Sequence, residues 1–313
     1  MRVTGLDRTP KSVGESAVVT TILCLLVVLA AVFVTVLAQR IRASPTRVVP
    51  HVEAAVVGGA VINFFDALGI GSFAPTTAYF KFRRLVPDRL IPPTLIAASA
   101  LPSIAEALIF VRIIKVEPTL LVICITAAVL GSWIGSTFAL GLPTKPIRLT
   151  MGAGLLIAAS LMALSNLGRL PVGGDALELD PVRMGIAAGA CFVFGGLMNL
   201  GIGFYAPALI VLSLLGLEPR AIFPIMMGAC AFLTSITGLK ILRHPEIDLR
   251  IVLGISIGAI PAIIIAAYVV KEIPLHMLRW LVIAIVLYAG GLMMRAGLRQ
   301  EPRQEVADAS APT

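Results

Sequence analysis

Two short glycine-rich segments carry the residue types best suited to holding a negatively charged ligand. The segment Leu68–Pro75 (LGIGSFAP) returns as Leu200–Pro207 (LGIGFYAP), with six of the eight positions identical. Glycine inside a helix costs about 1 kcal/mol relative to alanine. Proline removes a backbone donor, and its ring clashes with the preceding turn. Each segment therefore predicts a break in a helix.

A broken helix presents free main-chain N–H groups and the positive end of a half-helix dipole, and both favour an anion. Inside a bilayer, such groups must be buried in protein or face water. We therefore predict that the two breaks face each other and bind an anionic substrate. The alternative is close helix packing through small residues. The candidate binding residues here are Gly69, Gly71, Ser72, Gly201 and Gly203, and the predicted helix breaks are at Pro75 and Pro207.

Polar side chains within the apolar spans add three candidates for substrate binding. Asn199 precedes Gly201 by two residues, and its amide could donate to an anion or cap a half-helix. Ser103 and Ser235 occupy matching positions of the two copies, and their hydroxyls could bind anion oxygens. The alternatives are a hydrogen bond between helices for the amide, and bonds to their own helix carbonyls for the serines.

Two acidic residues in apolar surroundings are candidates for proton coupling. Glu106 lies inside the predicted span Ile91–Val111, and Asp66 precedes the first break. An ionisable residue inside a membrane helix is costly and is functional by default. Alternatively, Glu106 pairs with Arg112 or lines a polar cavity, and Asp66 caps a broken helix end or lies near an interface. The counterpart of Glu106 in the second copy is Gly238, so the copies differ here.

Composition places these residues in a membrane. Hydrophobic residues make up 58% of the chain and charged residues 13%, against roughly 25% charged residues in soluble domains. The apolar runs are too long for strands, so the predicted fold class is an all-α integral membrane protein. The net charge is +8, but the basic residues cluster beside apolar runs. That is typical of loops near lipid headgroups and argues against a nucleic-acid partner.

The two segments belong to a longer repeat with an offset of 132 residues, which also keeps Pro92 in register with Pro224. Gly/Pro-interrupted apolar segments in corresponding places of two halves are typical of secondary transporters. We predict two pseudo-symmetric repeats with about eight or nine membrane helical segments. The predicted parts are a polar segment (1–16), an extra transmembrane helix (17–38), repeat one (54–167), a linker (168–183), repeat two (184–294) and a polar tail (295–313).

The spans predicted outside the glycine-rich segments are Ile91–Val111, Leu120–Leu140, Ile147–Leu164, Ala221–Leu239, Ile251–Val270 and Leu278–Met294. Each glycine-rich segment is long enough to cross once as a tilted helix, or to enter and leave on one side as two half-helices. The distribution of basic residues favours the second arrangement and places the richer face in the cytoplasm.

The chain lacks the motifs of common metal and nucleotide sites. It has no HExxH zinc motif, no CxxC pair and no Walker A sequence, and its three histidines lie at or near predicted loops. We therefore expect no cofactor, no metal and no enzymatic activity. The alternative is an integral membrane enzyme, or a subunit of one, that acts on lipid-like substrates, with the linker acids Asp175, Glu178 and Asp180 as its best candidates.

At the two Gly-Ile-Gly segments, each with a proline shortly after, the chain resembles the sulfite exporter TauE/SafE family, within the toluene sulfonate uptake permease group. The resemblance covers about 54–294. It implies two similar halves and the movement of sulfite, sulfonates or related organic anions. The chain departs from the family pattern where glycines are expected, with Ser72-Phe73 in the first copy and Phe204-Tyr205 in the second. An aromatic residue there would narrow or reshape a pocket.

Together these features predict a multi-pass secondary transporter of the cytoplasmic membrane that works by alternating access. Its expected partners are a small anionic substrate and the lipid bilayer. Export and import, the identity of the anion, the coupling ion and the oligomeric state stay open at this point.

Overall fold

A computed structural model describes most of the chain between residues 10 and 298. The described residues are 10–43, 52–68, 71–87, 90–139, 149, 152–154, 156–157, 159–160, 163–164, 166–169, 176–199, 203–244, 246–269, 280, 283–284, 287–288, 290–291, 294–295 and 297–298.

Helices account for the secondary structure of these residues. The nine continuous helices in the described ranges are α1 (Pro10–Ala43), α2 (Val52–Asp66), α3 (Phe73–Arg83), α4 (Ile91–Ile113), α5 (Pro118–Ala139), α6 (Pro181–Met198), α7 (Tyr205–Leu214), α8 (Pro219–Ile241) and α9 (Leu249–Val269). The described residues within 149–166 and 280–298 are also helical. No strand occurs in the described ranges, where the only β-type pairing is an isolated bridge between Ala176 and Leu217. The prediction of an all-α protein is confirmed.

Six of these helices are long and apolar enough to cross a membrane, by length and composition. The protein is therefore a multi-pass membrane protein. The helix α4 begins at the predicted residue, Ile91, and ends two residues beyond the predicted Val111. The first helix differs more, because α1 begins at Pro10 and so includes part of the segment that we predicted to be a polar terminus.

Local chemistry accounts for where several helices begin. The first turn of a helix tolerates proline, because a main-chain N–H at that position would have no acceptor within the helix. The helices α5, α6 and α8 each begin on a proline. The Asp180 carboxylate accepts hydrogen bonds from the main-chain N–H groups of Val182 and Arg183, both at 3.0 Å, and so caps α6. The Glu117 carboxylate caps α5 through the Leu120 N–H at 2.8 Å.

The helices α4 and α8 pack against each other at the core of the molecule. Their apolar stretches are the most buried of the six candidate spans. On one side, α2 lies along α9, and on the other, α6 lies along α5. These two pairings correspond to each other when the chain is shifted by the 132-residue offset. In each, the first helix of one half packs against the last continuous helix of the other half.

Glycines bring the paired helices into backbone contact. A Cβ added at Gly258 of α9 would collide with the carbonyl oxygen of Val56 in α2, and one at Gly195 of α6 would collide with the carbonyl oxygen of Ala128 in α5. Small residues allow this close approach in membrane proteins, where dispersion contacts hold helices together. The position of α2 and of α6 is therefore set by main-chain contact with a neighbouring helix.

Each glycine-rich segment folds back on itself. The Tyr79 hydroxyl in α3 donates a 2.6 Å hydrogen bond to the carbonyl of Ala54, near the start of α2. In one continuous helix these residues would lie about 37 Å apart. In the second half, the Arg183 guanidinium at the start of α6 donates a 3.2 Å bond to the carbonyl of Leu215, directly after α7. Both segments are thus helical hairpins, and neither is one continuous helix.

Candidate functional site

The turn of each hairpin lies at its glycine-rich segment. In the first, α2 ends at Asp66 and α3 begins at Phe73. In the second, α6 ends at Met198 and α7 begins at Tyr205. Gly71 has φ of +86°, a backbone conformation that L-residues with a side chain rarely adopt. We call these two turns tip one (67–72) and tip two (199–204); Gly69 and Gly201 lie outside the described residues.

The two tips lie against each other. A Cβ placed on Gly71 would be 3.6 Å from the Cβ of Tyr205, and a Cβ placed on Gly203 would be 3.5 Å from the Cβ of Phe73. Phe73 and Tyr205 occupy the same position of the repeated octapeptide, so each tip touches the other in the same way. The two breaks therefore face each other, as the sequence predicted.

Each tip leads into the N-terminus of a helix. In α3, the first turn closes with the Thr76 N–H donating to the carbonyl of Ser72 at 2.9 Å, and in α7, the Ala208 N–H donates to the carbonyl of Phe204 at 3.2 Å. The prolines Pro75 and Pro207 are the third residues of these helices. They therefore open the returning helices and do not interrupt them, which corrects the role that we predicted for them.

Asp66 is the last residue of α2 and lies next to the turn of the first hairpin. The Ser72 hydroxyl and the main-chain N–H groups of Gly71 and Ser72 lie near its carboxylate. The side chain is buried, and its Oδ1 has no hydrogen-bond partner in the described part of the chain. Capping of a broken helix end and binding of a coupling proton both stay predictions for Asp66.

Glu106 reaches the second hairpin from the centre of the molecule. The Tyr205 hydroxyl donates a 2.8 Å hydrogen bond to Glu106 Oε2, and both side chains are buried. Glu106 Oε1 has no hydrogen-bond partner among the described residues. Arg112, which was the alternative partner, is exposed and makes no bond to Glu106. Asp66, at the end of α2, is a second buried acid.

The counterpart of Glu106 in the second half is Gly238. A side chain of α1 occupies the space that a larger residue at position 238 would need. A Cβ added at Gly238 of α8 would lie 3.0 Å from Phe33 Cε2 and 3.4 Å from the Cα of Ala97. Phe33, on α1, is fully buried. A carboxylate at position 238 would therefore displace the phenyl ring, which gives a steric reason for the difference between the two halves.

Asn199 ends a helix instead of beginning one. It is the C-terminal cap of α6, with its main-chain N–H bonded to the carbonyls of Gly196 and Leu197. Its side-chain amide donates to the carbonyl of Ser132 at 2.9 Å and lies 3.1 Å from the Ser132 hydroxyl. The expectation that it caps a half-helix N-terminus is wrong. The amide ties tip two to α5, which matches the helix–helix alternative.

Residues 184–312 match the model of the sulfite exporter TauE/SafE family. This match confirms the resemblance over the second half of the chain, and it contains the second Gly-Ile-Gly segment and α7, α8 and α9. The comparisons with curated proteins and with solved structures gave no match. The TauE/SafE match supports a membrane permease or exporter, in agreement with the prediction that the protein is not an enzyme.

The two predicted serines lie at the central helix pair. Ser103 on α4 and Ser235 on α8 are both buried, and Ser235 Oγ has no hydrogen-bond partner among the described residues. Of the linker acids, Asp180 caps α6 and pairs with Arg183 at 3.1 Å, Glu178 is exposed, and Asp175 lies outside the described residues. In the described ranges, no group of three or more metal-binding side chains comes together.

Sequence reasoning did not identify Tyr205 as a partner of Glu106. The two residues lie 99 positions apart, and no local pattern connects them. The available signal was that an aromatic residue stands at the second tip where the TauE/SafE pattern has glycine. The tyrosine hydroxyl gives the buried acid a donor at that position.

Proposed function

We propose that this protein is a secondary transporter of the cytoplasmic membrane that moves small anions, such as sulfite, sulfonates or related organosulfur anions, by alternating access. The observation that carries the proposal is the meeting of two buried helix N-termini at the hairpin tips. Helix N-termini favour anions because their N–H groups are free and the helix dipole is positive there. The TauE/SafE match supports it, as do helices interrupted at corresponding places of two halves, which are typical of secondary transporters.

The proposed roles of the individual residues follow from their positions. The tips, with Gly71, Ser72 and Gly203 and the flanking Gly69 and Gly201, form the wall against which the anion binds. Glycine there lets the main chain approach the ligand closely. Ser103 and Ser235 supply hydroxyls at the buried α4–α8 pair. Asn199 positions tip two through Ser132.

We propose further that Asp66 and Glu106 carry the coupling proton. The described residues place no lysine or arginine in an ion pair with either acid. Two uncompensated charges in this buried place would be very costly. The pair is therefore expected to hold at least one proton and to titrate as a unit. Movement of that proton with the anion would couple transport to the proton gradient.

Transport by purified protein in proteoliposomes tests the proposal, with radiolabelled sulfite and a labelled sulfonate as probes. Gly71→Val is expected to abolish flux while the protein still inserts. A β-branched residue at φ of +86° costs about 1–3 kcal/mol in strain, and the tip must move to relieve it. Gly203→Val is expected to abolish flux as well, because its methyl groups enter the contact with Phe73.

Alanine variants at the same two positions provide the control. Gly203→Ala adds only a Cβ at an ordinary contact distance of 3.5 Å, so flux should stay near the wild-type value. Gly71→Ala still carries the strain of a positive φ and should be impaired. Unchanged flux in both valine variants would remove the tips from the mechanism, and absence of sulfite and sulfonate flux in the wild type would contradict the proposed substrate class.

A further inference from the structure

The two helices of the first hairpin are attached to their neighbours in different ways. The first helix, α2, is in main-chain contact with α9, because a Cβ added at Gly59 would collide with the carbonyl oxygen of Ile255 and lie 2.8 Å from its Cα. The returning helix, α3, meets α2 through a side chain, since a Cβ added at Gly58 would collide with the ring of Tyr79. Side chains change rotamer far faster than packed helices shift. Separation of α3 from α2 is therefore easier than separation of α2 from α9.

Tyr79 joins the outer part of α3 to the start of α2. Its ring lies on Gly58, and its hydroxyl donates the 2.6 Å hydrogen bond to the carbonyl of Ala54. In the second half, Val211 stands at the matching position, and its side chain has no donor. The contact is thus a feature of the first hairpin, and one hydroxyl group contributes its hydrogen bond.

The backbone changes direction at both ends of α3. Gly71, in tip one, has φ of +86°, and Arg84, directly after the last residue of α3, has φ of +50°. A positive φ is uncommon for a residue with a side chain. The Leu85 N–H donates a 3.0 Å bond to the carbonyl of Phe80, which closes this helix end as in a Schellman motif.

The second half ends its returning helix in the same way. Gly216 lies 132 residues after Arg84 and has φ of +96°. The hydrogen bond that closes the helix also recurs at the offset positions, from the Leu217 N–H to the carbonyl of Leu212 at 3.2 Å. Residues at the ends of helices are where hinges absorb changes of φ and ψ. Each returning helix is therefore a short rigid segment with a place to bend at its outer end.

We infer that α3 is a moving gate of this protein, which swings about tip one away from α2 and is held closed by Tyr79. The inference rests on the proposed function, and it assigns one movement of alternating access to a named helix. Alternating access requires that a central site open to one side of the membrane at a time. Because α2 stays with α9, movement of α3 opens the first hairpin between its two helices, on the side where α2 begins.

The distance between spin labels on the two helices tests the movement. Glu53, in the first turn of α2, and Arg83, the last residue of α3, are both exposed. The labels are attached to Glu53→Cys and Arg83→Cys in a Cys24→Ser background, because the three other thiols of the chain are buried. Electron paramagnetic resonance on the purified protein then reports the populations with closed and separated helices.

Two variants should raise the separated population. Tyr79→Phe keeps the ring and loses the hydrogen bond, so the ratio of separated to closed hairpins should rise about fivefold. Gly58→Ala places a methyl group against the ring and should raise the ratio as well. The matched control Tyr268→Phe changes a tyrosine that is 76% exposed and should give the wild-type distances.

Cross-linking tests whether the movement belongs to transport. A bifunctional thiol reagent that joins Glu53→Cys to Arg83→Cys should abolish sulfite flux in proteoliposomes, and reductive release of the reagent should restore it. In the control, the same reagent joins Val57→Cys of α2 to Ile257→Cys of α9, two exposed positions. These helices are expected to stay together, so flux should be unchanged.

The outcomes separate the gate from the proposed function. Wild-type distances in both Tyr79→Phe and Gly58→Ala, or full flux with α2 cross-linked to α3, would overturn the gate while leaving transport itself standing. If Gly58→Ala does not fold, Tyr79→Phe decides the first point alone. Absence of sulfite and sulfonate flux in the wild type, before any cross-linking, would instead overturn the proposed function.

Discussion

Replacing Gly195 with valine is expected to cause a large loss of stability. A Cβ at this position of α6 would collide with the carbonyl oxygen of Ala128 and lie 2.8 Å from its carbonyl carbon. These are main-chain atoms of α5, so no side chain can rotate away, and α6 must move off its neighbour. Overpacking costs about 1–3 kcal/mol and occasionally more. A thermal melt in detergent should show a clearly lower Tm, and size-exclusion chromatography should show less monodisperse protein.

The matched control lies on the same helix. Gly189 has open space where its Cβ would be, so Gly189→Val should change stability by no more than about 0.5 kcal/mol. Both substitutions add the same side chain to α6, and they differ only in what that side chain meets. An equal fall in Tm for the two variants would show that main-chain contact with α5 is not what holds α6.

This contact matters for function because α6 carries tip two. If α6 moves away from α5, the Asn199–Ser132 hydrogen bond stretches and tip two loses its place against tip one. The first hairpin depends in the same way on the contact between Gly258 and Val56. The close glycine contacts thus fix the relative position of the two tips, which the proposed anion site requires.

Glu106→Gln is expected to remove the dependence of transport on the pH gradient. Glutamine has nearly the shape of glutamate, and its side-chain carbonyl oxygen can still accept a hydrogen bond from the Tyr205 hydroxyl. The packing is therefore kept, while the proton-carrying group is lost. Labelled sulfite flux in proteoliposomes should no longer respond to an imposed pH gradient when the membrane potential is held constant.

Two variants separate coupling from structure. Arg112→Gln changes an exposed residue at the end of the same helix and should leave the pH-gradient response intact. Tyr205→Phe keeps the acid and removes its hydrogen-bond donor, so it should shift the pH at which flux is half-maximal without abolishing the response. A normal response in Glu106→Gln would mean that the coupling proton travels elsewhere.

Much of the fold could be read from local features of the chain. The low charge content and long apolar runs indicated a helical membrane protein, because burying main-chain polar groups in lipid allows little else. The helix α4 begins at the predicted Ile91, where an apolar run starts next to prolines. The two glycine-rich breaks could also be predicted from the sequence, because glycine and proline disfavour the interior of a helix in any surroundings.

The contacts that build the candidate site could not be read in this way. Whether the segment from Ala54 to Phe80 crosses or returns depends on contacts between its two ends, and composition gave only a weak indication of them. The partnership of Glu106 with Tyr205 joins two helices from different halves. Asn199 and Ser132 also come from different halves. Asn199 ends α6, although the sequence suggested that it could cap the start of a half-helix.

By itself, the sequence determined that this protein lies in a membrane, that its helices break at two matching places, and which residues flank those breaks. Only the tertiary structure decided that both segments turn back, that their tips meet, and that Glu106 bonds to Tyr205 of the other half. The physical reason is the distance along the chain over which each effect acts. Backbone propensity and hydrophobicity act over a few neighbouring residues, whereas the pairing of tips and acids depends on packing between helices that are far apart in the chain.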